Sequence, residues 1–540
     1  MNLSEEKLNT FPKEAVIALY ISLQNEFSKI EKQNEELMKK VDRLQESINV
    51  LVQQRYGRKS ESNVTDGQLS FDFNNSCIIN EAEVLTENGI PEEPTAEETI
   101  TYNRKKHAGK READLKDIVE IDEAASELSE EELRAEFPDG YTRLPDEIYK
   151  ELHYSPAQFE VHVKHIAVYR GKKTNKVIKA KREPRLMPHS LVTPSLFSAV
   201  MNAKFVNAVP INRFSEELKR FGINISRQVL AGWMIKISER YFSLLYDEMH
   251  KQLFESKLIH CDETPFRVIH NGLETDSKSY MWVYHTHPDY GGKDIYLYDY
   301  RSGRSADHPR AFLKEYKGIL MTDGYQVYHK LQKERPEELT VAGCWAHAKR
   351  RFATLCKANG KEKSKGSVAA DANDRIAAFY HVDNMKKGCT PDEILKNRTN
   401  SVRPMVDDFF AWIKEVYTKI DHSSETGKAI NYCINQEAFL RAFLNDPIIP
   451  LDNNDAERSI KKFVIGRKNW LISDTVRGAE SSAVLYSIAE TAKANGLKPY
   501  YYFKYVLEEM PKYIEDSDRS FIQDLLPWSD KLSPECYSIR

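Results

Sequence analysis

The sequence predicts a multidomain α+β protein, and three observations support this class. The chain has 540 residues, a length that corresponds to about three or four domains. Near the N-terminus, apolar residues recur at the spacing of a long amphipathic helix. Past residue 255 the chain changes to short apolar segments typical of strands. The chain should therefore combine helical modules with one α/β domain.

The first module, residues 1–57, is predicted to be a coiled-coil dimerisation helix. Its apolar positions alternate at spacings of four and three: Leu23, Phe27, Ile30, Leu37, Val41, Leu44, Ile48 and Leu51. Asn34 occupies an a position, where a buried Asn favours a parallel dimer in a single register at a cost in stability. We therefore expect a homodimer through residues 20–55. The alternative is that this amphipathic helix packs on its own protein.

Residues 58–112 are predicted to form a disordered acidic linker that ends in a basic arm. The linker is rich in Asp, Glu, Asn and Pro, so the net charge of −4 hides an uneven charge distribution. The arm contains five basic residues within eight positions: Arg104, Lys105, Lys106, Lys110 and Arg111. Such a cluster suits contact with nucleic-acid phosphates, although a solvated charge run has the same composition.

The next two modules are a small β module, residues 113–187, and a helical region, residues 188–252. Alternating apolar and polar residues predict two or three short strands in the β module. In the helical region, a helix should end at Phe221, Gly222 should form the turn, and Ser226 should cap a second helix. This spacing is typical of helix-turn-helix DNA-binding proteins, although helices joined by a glycine turn are common elsewhere. The residues at the start of the second helix, which would reach base edges, are Arg227 and Gln228.

Residues 253–349 are predicted to form the first part of an α/β catalytic core. A strand carrying Asp262 is followed by two strands, a helix, a strand ending at Asp323 and a fifth strand. This is the order of the ribonuclease H-like fold, in which the first and fourth strands are central neighbours and bring their carboxylates together. The remaining modules are a helical insertion (350–446), the second part of the core (447–498) and a C-terminal helical tail (499–540).

A third acid is expected from the stretch LDNNDAERSIKKFVIGRKNWL, residues 451–471. A helix beginning near Asp452 or Asn453, both good caps, places Glu457 in its first turns. Asp452 and Asp455 are rivals for the third acid, but Asp452 is the expected cap and Asp455 points about 160 degrees away from Glu457. Three carboxylates from two strands and a helix can hold two Mg²⁺ ions, with Mn²⁺ as a substitute, at a site open to phosphodiesters. The alternatives are turn-capping aspartates and a solvated helix stabilised by Glu-to-Lys pairs.

Five stretches carry a family resemblance: DET (262–264), TDGYQVYHKL (322–331), CWAHAKRRF (344–352), residues 451–471, and the tail from TAKANGLKPYYYFKYVLEEMP to LLPW. They resemble the transposases of the insertion-sequence-sixty-six family, a DDE group. RYGRKSE and QLSFDF extend the resemblance towards the front of the chain. The resemblance implies catalytic Asp262, Asp323 and Glu457, and cleavage and joining of DNA at the ends of an insertion sequence.

The resemblance also implies DNA contacts in residues 451–471, the stretch that contains Glu457. The residues expected to contact DNA there are Asn453, Asn454, Lys461, Lys462, Arg467, Lys468 and Trp470. The cations would bind phosphates, and the tryptophan would stack on an unpaired base unless it is a buried anchor.

Zinc is not predicted for this chain. The family typically carries a four-cysteine zinc module, whereas residues 101–260 contain no cysteine. Cys344 and His347 are spaced C-x-x-H, but no second pair lies nearby in the sequence. We expect these two residues to have a structural role beside the metal ligands.

The expected partners are DNA, as the terminal inverted repeats of the element and as target, a second copy of the chain, and accessory proteins encoded by the element. The sequence has no signal peptide and no apolar run that could span a membrane, so we expect a bacterial cytoplasmic protein associated with the nucleoid. The rival interpretation is a catalytically inactive or domesticated DNA-binding protein, which the presence of all three acids disfavours.

Overall fold

The computed structural model describes residues 12–56, 158–170, 172, 177–181, 184–270, 272, 278–385 and 388–538, with four further residues between 129 and 139. The predicted linker and its basic arm, Arg104, Lys105, Lys106, Lys110 and Arg111, lie outside these residues. The chain divides into two compact units, residues 1–78 with 184–537 and residues 79–183 with 538–540. None of the helices in the described part of the chain has the length and apolar character that crossing a membrane requires.

The N-terminal segment is one long helix, α1 (Lys13–Tyr56), as its heptad pattern predicts. Neither glycine nor proline interrupts its sequence, so helical hydrogen bonding continues throughout. The apolar heptad side chains face solvent, with exposures from 51% at Ile48 to 65% at Phe27. An uncovered apolar seam of this length is typical of a helix that associates with a partner.

The second unit contains the described part of the β module. Strands β1 (Val168–Arg170) and β2 (Val177–Lys179) pair antiparallel, with Tyr169 opposite Ile178. All side chains of both strands are exposed, so this hairpin has no core of its own.

The predicted helix-turn-helix geometry is present with the predicted boundaries. The helices of this region are α2 (Pro194–Met201), α3 (Ile211–Arg220), α4 (Arg227–Ile237) and α5 (Ser243–Leu253). Gly222 has a φ of +79°, a left-handed conformation that favours glycine and directs the chain out of α3. The Ser226 hydroxyl accepts a hydrogen bond from the Val229 N–H (3.4 Å) and caps α4. Both signals act within a few residues, which is why the sequence located this turn.

A five-stranded mixed sheet forms the centre of the molecule's first unit. This segment of the chain contains β3 (Leu258–Pro265), β4 (Arg267–His270), β5 (Tyr280–Thr286), β6 (Ile295–Arg301), α6 (Asp307–Phe312), β7 (Gly318–Thr322), α7 (Gln326–Glu334) and β8 (Leu339–Gly343). The strand order is β6-β5-β3-β7-β8. The first and fourth strands of this sheet, β3 and β7, are therefore parallel central neighbours, as predicted.

The insertion after β8 is helical, as predicted. Its helices are α8 (Trp345–Ser364), α9 (Val368–Asn384), α10 (Pro391–Asn397), α11 (Arg403–Tyr417), α12 (Glu425–Asn435) and α13 (Glu437–Leu440). They enclose a second hydrophobic core around Trp345 and Phe379, whose ring centroids are 4.6 Å apart. The fully buried Arg398 lies inside this helical layer and pairs with the buried Asp383.

The rest of the chain returns to the sheet. Its elements are α14 (Asn454–Trp470), β9 (Ile472–Thr475), α15 (Val476–Ala494), α16 (Pro499–Tyr513) and α17 (Phe521–Asp524). Helix α15 packs on β6, where the Tyr298 N–H donates to the Ser487 hydroxyl (2.8 Å). Strand β9 pairs in parallel with β4. The sequence analysis missed this small sheet because both strands have only four residues and lie far apart in the chain.

Candidate active site

Parallel pairing brings the two predicted strand-end acids to the same edge of the sheet. Strands β3 and β7 pair with His260 opposite Met321. Continuing this register by two residues sets Asp262 opposite Asp323, the residue that directly follows β7. The carboxyl ends of parallel neighbours meet at one edge, so the two acids come together as the strand order predicts.

The carboxyl group of Asp262 lies in a crowded acidic environment. Burial raises its pKa well above the ordinary value of 3.8, and the negative charges of Asp323 and Glu263 raise it further. The charge of Glu457 raises the pKa of Asp262 by a smaller amount, so both of the other predicted acids act on this carboxyl group. One compensating contact is the Glu263 N–H, which donates to Asp262 Oδ1 (2.8 Å). Such a cluster of carboxylates is suited to a divalent cation.

The third acid, Glu457, stands in the first turn of α14 and is held by α8. Arg350 Nη2 donates to Glu457 Oε1 (3.0 Å) and Oε2 (2.8 Å), and His347 Nδ1 lies 3.5 Å from Oε1. A carboxylate has about four acceptor positions, so these contacts orient Glu457 and leave acceptor positions open. Sequence reasoning missed Arg350. It follows His347 by one helical turn in the CWAHAKRRF stretch, a spacing that could have signalled it.

Asn453 sets the position of α14 and is not a DNA contact, contrary to its prediction. Its side chain is fully buried. Its Oδ1 lies 2.7 Å from His260 Nδ1, its Nδ2 donates to the Cys261 carbonyl (2.9 Å), and its N–H donates to Cys344 Sγ (3.2 Å). These three contacts tie the start of α14 to β3 and to the start of α8. A side chain with both polar ends used inside the protein cannot reach DNA.

The two rivals of Glu457 for the third acid have other partners. Asp452 Oδ1 accepts the Asn454 N–H (3.2 Å), and the residue at the cap of α14 is Asn453, the other of the two expected caps. Asp455 lies 3.7 Å from His260 Nε2 and pairs with Arg458. Burial lowers the pKa of His260 to about 4, so this imidazole is neutral near pH 7. Asp455 therefore faces the buried histidine, away from Glu457.

A fourth carboxylate, Glu263, adjoins the site and was not predicted. Burial and the charge of Asp323 raise its pKa to about 7, against the opposing effect of Arg304. The Arg304 Nε donates to Glu263 Oε1 (2.9 Å), and the guanidinium lies 3.9 Å from the Tyr325 ring centroid. Glu263 Oε2 is buried and has no hydrogen-bond partner among the residues that the structure describes. An unpaired buried carboxylate oxygen at this edge adds one more oxygen suited to a cation or its waters.

The predicted supporting pair, Cys344 and His347, lies against Glu457. One ligand atom from each of these three residues falls within 4.8 Å of the others. Burial raises the pKa of the Cys344 thiol, and its sulfur already accepts the Asn453 N–H. Burial also lowers the pKa of His347. The structural role of this pair beside the proposed metal ligands stays a prediction.

Three of the predicted DNA contacts in α14 are used inside the protein. Lys462 Nζ pairs with the buried Glu490 of α15 (2.9 Å). Arg467 Nη1 donates to Thr264 Oγ1 (3.1 Å) and to the Pro265 carbonyl. Trp470 packs on the hydrophobic core with its ring centroid 6.3 Å from that of Tyr486, which matches the buried-anchor alternative. Each of these side chains therefore has a partner in the fold, and their roles in binding DNA stay predictions.

The other predicted contacts keep some solvent exposure. Arg227 and Gln228 are exposed at the start of α4. Lys468 is exposed, and Asn454 and Lys461 are half-buried. Their roles in binding DNA stay predictions.

Replacing Asp262 by Asn should stabilise the metal-free protein. An acid whose pKa is raised on folding contributes stability below its unfolded pKa, and that stability is lost as the pH rises through the folded value. We therefore expect Asp262→Asn to raise Tm in EDTA by about 1–3 °C at pH 8 and less at pH 5. Thermal unfolding at both pH values measures this, with the exposed Asp516→Asn as the control. A Tm lower than wild type at pH 8 would contradict the crowded-carboxylate account.

Comparison with known families adds three matches along the chain. The model described as "Transposase IS66 family" matches residues 189–481, more than half of the chain. The "IS66 C-terminal element" matches residues 487–528, and "Transposase C of IS166 homeodomain" matches residues 43–139. The first of these matches spans all three predicted acids.

Similar proteins are found in Sinorhizobium fredii. The uncharacterized protein y4qI is 27% identical over 70% of this chain and 70% of its own length. The uncharacterized protein y4hP is 26% identical over 64% of this chain and 63% of its own length. The uncharacterized protein y4jD is 27% identical over 66% of this chain and 70% of its own length.

Proposed function

The chain belongs to the IS66 family of transposases, and from this premise we propose that it binds the ends of an insertion sequence and catalyses DNA strand cleavage and strand transfer. The observation that carries the proposal is the parallel register of β3 and β7, which sets Asp262 opposite Asp323; the effect of the Glu457 charge on the pKa of Asp262 agrees with it. These acids come from two parallel neighbouring strands and the first turn of a helix. Family membership and this convergence support the same chemistry.

We propose that the catalytic core has the ribonuclease H-like fold. The strand order, with three antiparallel strands followed by two parallel ones on the far side of β3, supports this assignment. The long helical insertion between β8 and α14 separates the second and third acids in sequence. The fold then accounts for a third acid more than a hundred residues after the second.

Two Mg²⁺ ions, with Mn²⁺ as a substitute, fit the residues at this edge. Asp262, Asp323 and Glu457 offer the hard oxygen ligands that these ions prefer. The buried Glu263 Oε2, which has no hydrogen-bond partner among the described residues, would also be stabilised by a cation bound nearby. When bound, such ions activate an attacking water or 3′-hydroxyl and stabilise the leaving oxygen. We propose no zinc site, because the sequence offers a single C-x-x-H pair here, Cys344 and His347, with no second pair nearby.

The protein's own residues have the tasks of holding and orienting the acids. Arg350 fixes the rotamer of Glu457 through two hydrogen bonds, and the Asn453 contacts fix the helix that carries it. Arg304 compensates part of the negative charge on Glu263. Phosphodiester cleavage in such a site depends on the positions of the metal ligands more than on a nucleophilic side chain. The contacts of Arg350, Asn453 and Arg304 should therefore affect the rate of strand cleavage.

DNA recognition is assigned to the helix-turn-helix and to cations near the acids. Arg227 and Gln228 are exposed at the N-terminal end of α4, where recognition helices contact base edges. Lys461 and Lys468 belong to α14, the helix that carries Glu457, and the basic arm would add phosphate contacts. Base contacts would give specificity for the terminal repeats, and phosphate contacts would give affinity.

Dimerisation is assigned to the exposed seam of α1. The seam residues are more than half exposed along the whole heptad pattern, and the occupant we propose is the same seam of a second copy. Asn34 at an a position would pair with its counterpart and set a parallel register. Two copies joined in this way would bring two element ends into one complex.

Breaking the seam should separate the dimer. We expect Leu37→Asp to convert a dimer into a monomer, because an aspartate at a core d position buries an unpaired charge. Size-exclusion chromatography with light scattering measures the mass, and Glu36→Gln on the neighbouring exposed position is the control. A wild-type chain that is monomeric at tens of micromolar would refute this dimer.

The experiment that tests the function is Mg²⁺-dependent nicking of a labelled duplex carrying the element's own end. We expect wild type to cut at the end and to lose all cutting in EDTA. Binding without cutting under Mg²⁺ and Mn²⁺ would favour the alternative of a catalytically inactive or domesticated DNA-binding protein.

A further inference from the structure

The insertion helix α12 contacts the loop that carries Asp323. At its C-terminal end, the Tyr432 hydroxyl donates to the Asp323 carbonyl (2.9 Å). Just beyond the helix, Gln436 Nε2 donates to the Gly324 carbonyl (3.4 Å). Two consecutive carbonyl groups of the loop therefore have partners from the insertion. The loop's own contribution is a turn in which the Tyr325 N–H donates to Asp323 Oδ1 (3.0 Å).

The fit between Tyr432 and this loop is close. Gly324 has a φ of +92°, and a Cβ at this position would lie 2.9 Å from the Tyr432 hydroxyl. The guanidinium of Arg351 stacks 4.1 Å from the Tyr432 ring centroid and limits the ring's movement. A residue with a side chain at position 324 would push the tyrosine away, so glycine is required by both the conformation and the contact.

The other end of α12 is held by the N-terminal helix. Glu46 Oε2 accepts the Glu425 N–H (3.0 Å), and the Thr426 hydroxyl donates to Glu46 Oε1 (2.5 Å). Arg43 Nη1 donates to the Ser423 hydroxyl (3.0 Å) just before the helix. A carboxylate at this end also stabilises the first turn of α12.

This docking uses the side of α1 opposite to its apolar seam. In the heptad that places Val41 and Ile48 at a positions, Arg43 and Glu46 occupy c and f. The seam remains exposed while the outer face contacts the insertion. One helix can therefore serve a partner chain and its own catalytic unit at the same time.

We propose that α12 is a strut through which α1 and the insertion fix Asp323, with Tyr432 as a positioning residue and Glu46 as the anchor of the far end. This inference rests on the proposed function, since it assigns Asp323 to the metal site. The Tyr432 hydroxyl, near the C-terminal end of this eleven-residue helix, holds the backbone of Asp323. Removing the hydrogen bonds at either end of α12 should weaken binding of the cation at the site. The rate of nicking at a saturating cation concentration should change less.

The first test compares Tyr432→Phe with Tyr417→Phe in the full chain. The Tyr417 hydroxyl donates to Asn431 Oδ1 on the same helix (3.3 Å), so the control removes a hydrogen bond to α12 without touching the loop. Free Mn²⁺ measured by electron paramagnetic resonance gives a binding midpoint without reference to activity. We expect Tyr432→Phe to raise that midpoint about three- to tenfold, the value of one hydrogen bond. The control should stay within about twofold.

The second test compares Glu46→Ala with Glu36→Ala. We expect Glu46→Ala to raise the Mn²⁺ midpoint about two- to threefold, less than Tyr432→Phe because the anchor acts through the helix. Light scattering should show both variants in the wild-type oligomeric state, since neither side chain lies in the seam. Nicking at saturating Mn²⁺ should stay within about twofold of wild type for both.

The outcomes separate the inference from the function it rests on. If wild type binds Mn²⁺ and nicks DNA while Tyr432→Phe binds Mn²⁺ as well as wild type does, the positioning role is overturned and the function stands. If Tyr432→Phe raises the midpoint of Mn²⁺ binding but Glu46→Ala leaves it at the wild-type value, the positioning role of α12 stands and its link to α1 is overturned. If wild type takes up no Mn²⁺, both the metal site and the strut are overturned.

Discussion

Replacing Asp323 by Ala is expected to abolish nicking of the element end, with a rate at least about a thousandfold below wild type. Asp323 lies opposite Asp262 at the edge of the sheet, and its removal takes away one of the three carboxylates proposed to hold the metal ions. Binding of the same duplex should stay within about threefold of wild type, because the proposed DNA contacts are cations elsewhere in the chain. Glu457→Ala should give the same two results. A gel-shift assay and a nicking assay on one labelled duplex measure both quantities.

The neighbouring acid Asp452 provides the matched control. Asp452→Asn keeps an oxygen that can accept the Asn454 N–H, so α14 should begin at the same residue and nicking should continue. Loss of cutting in Asp452→Asn together with normal cutting in Glu457→Ala would identify Asp452 as the third acid. Normal cutting in Asp323→Ala would remove the second acid from the proposed site.

Replacing Arg398 by Met is expected to destabilise the protein by about 3–5 kcal/mol. The guanidinium is fully buried and pairs with Asp383 through Nε (2.7 Å) and Nη2 (3.2 Å). It also donates to the carbonyls of Phe443, Asp446 and Ile449. The variant leaves a buried carboxylate, two buried carbonyls and one partly buried carbonyl without these donors. Urea unfolding followed by circular dichroism measures the change in the free energy of unfolding.

Arg375→Met is the control for this prediction. Arg375 belongs to the same helical layer and pairs with the exposed Asp408, so its loss should cost less than about 1 kcal/mol. The double variant Arg398→Met with Asp383→Leu should recover part of the lost stability, because it removes the unpaired buried charge. Equal effects of Arg398→Met and Arg375→Met would contradict the buried-network account.

This buried arginine also bears on the site. The Ile449 carbonyl that it binds lies just before Leu451, whose carbonyl accepts the Trp345 N–H (2.9 Å). The insertion thereby fixes the chain immediately ahead of Asn453 and the helix of Glu457. A mild loss of packing in the insertion should therefore reduce nicking more than DNA binding.

The sequence by itself determined the order of the elements and the residues with local signals. The order of the strands along the chain follows from short apolar segments, and the turn at Gly222 follows from a glycine and a serine cap. The heptad pattern predicted α1. The order of a ribonuclease H-like fold predicted that β3 and β7 are neighbours, which brings Asp262 and Asp323 together. Each of these inferences depends on periodicity, on a few adjacent residues or on the order of the elements along the chain.

Only the tertiary structure decided how the polar side chains of the site are used. The buried Asn453 binds the Cys261 carbonyl, Lys462 pairs with the buried Glu490, and Arg350 orients Glu457. Each pair joins residues far apart in the chain, and the same residue types on a solvated helix would be free to contact DNA. The choice between these fates depends on burial, because a polar group removed from water must find a partner within the protein.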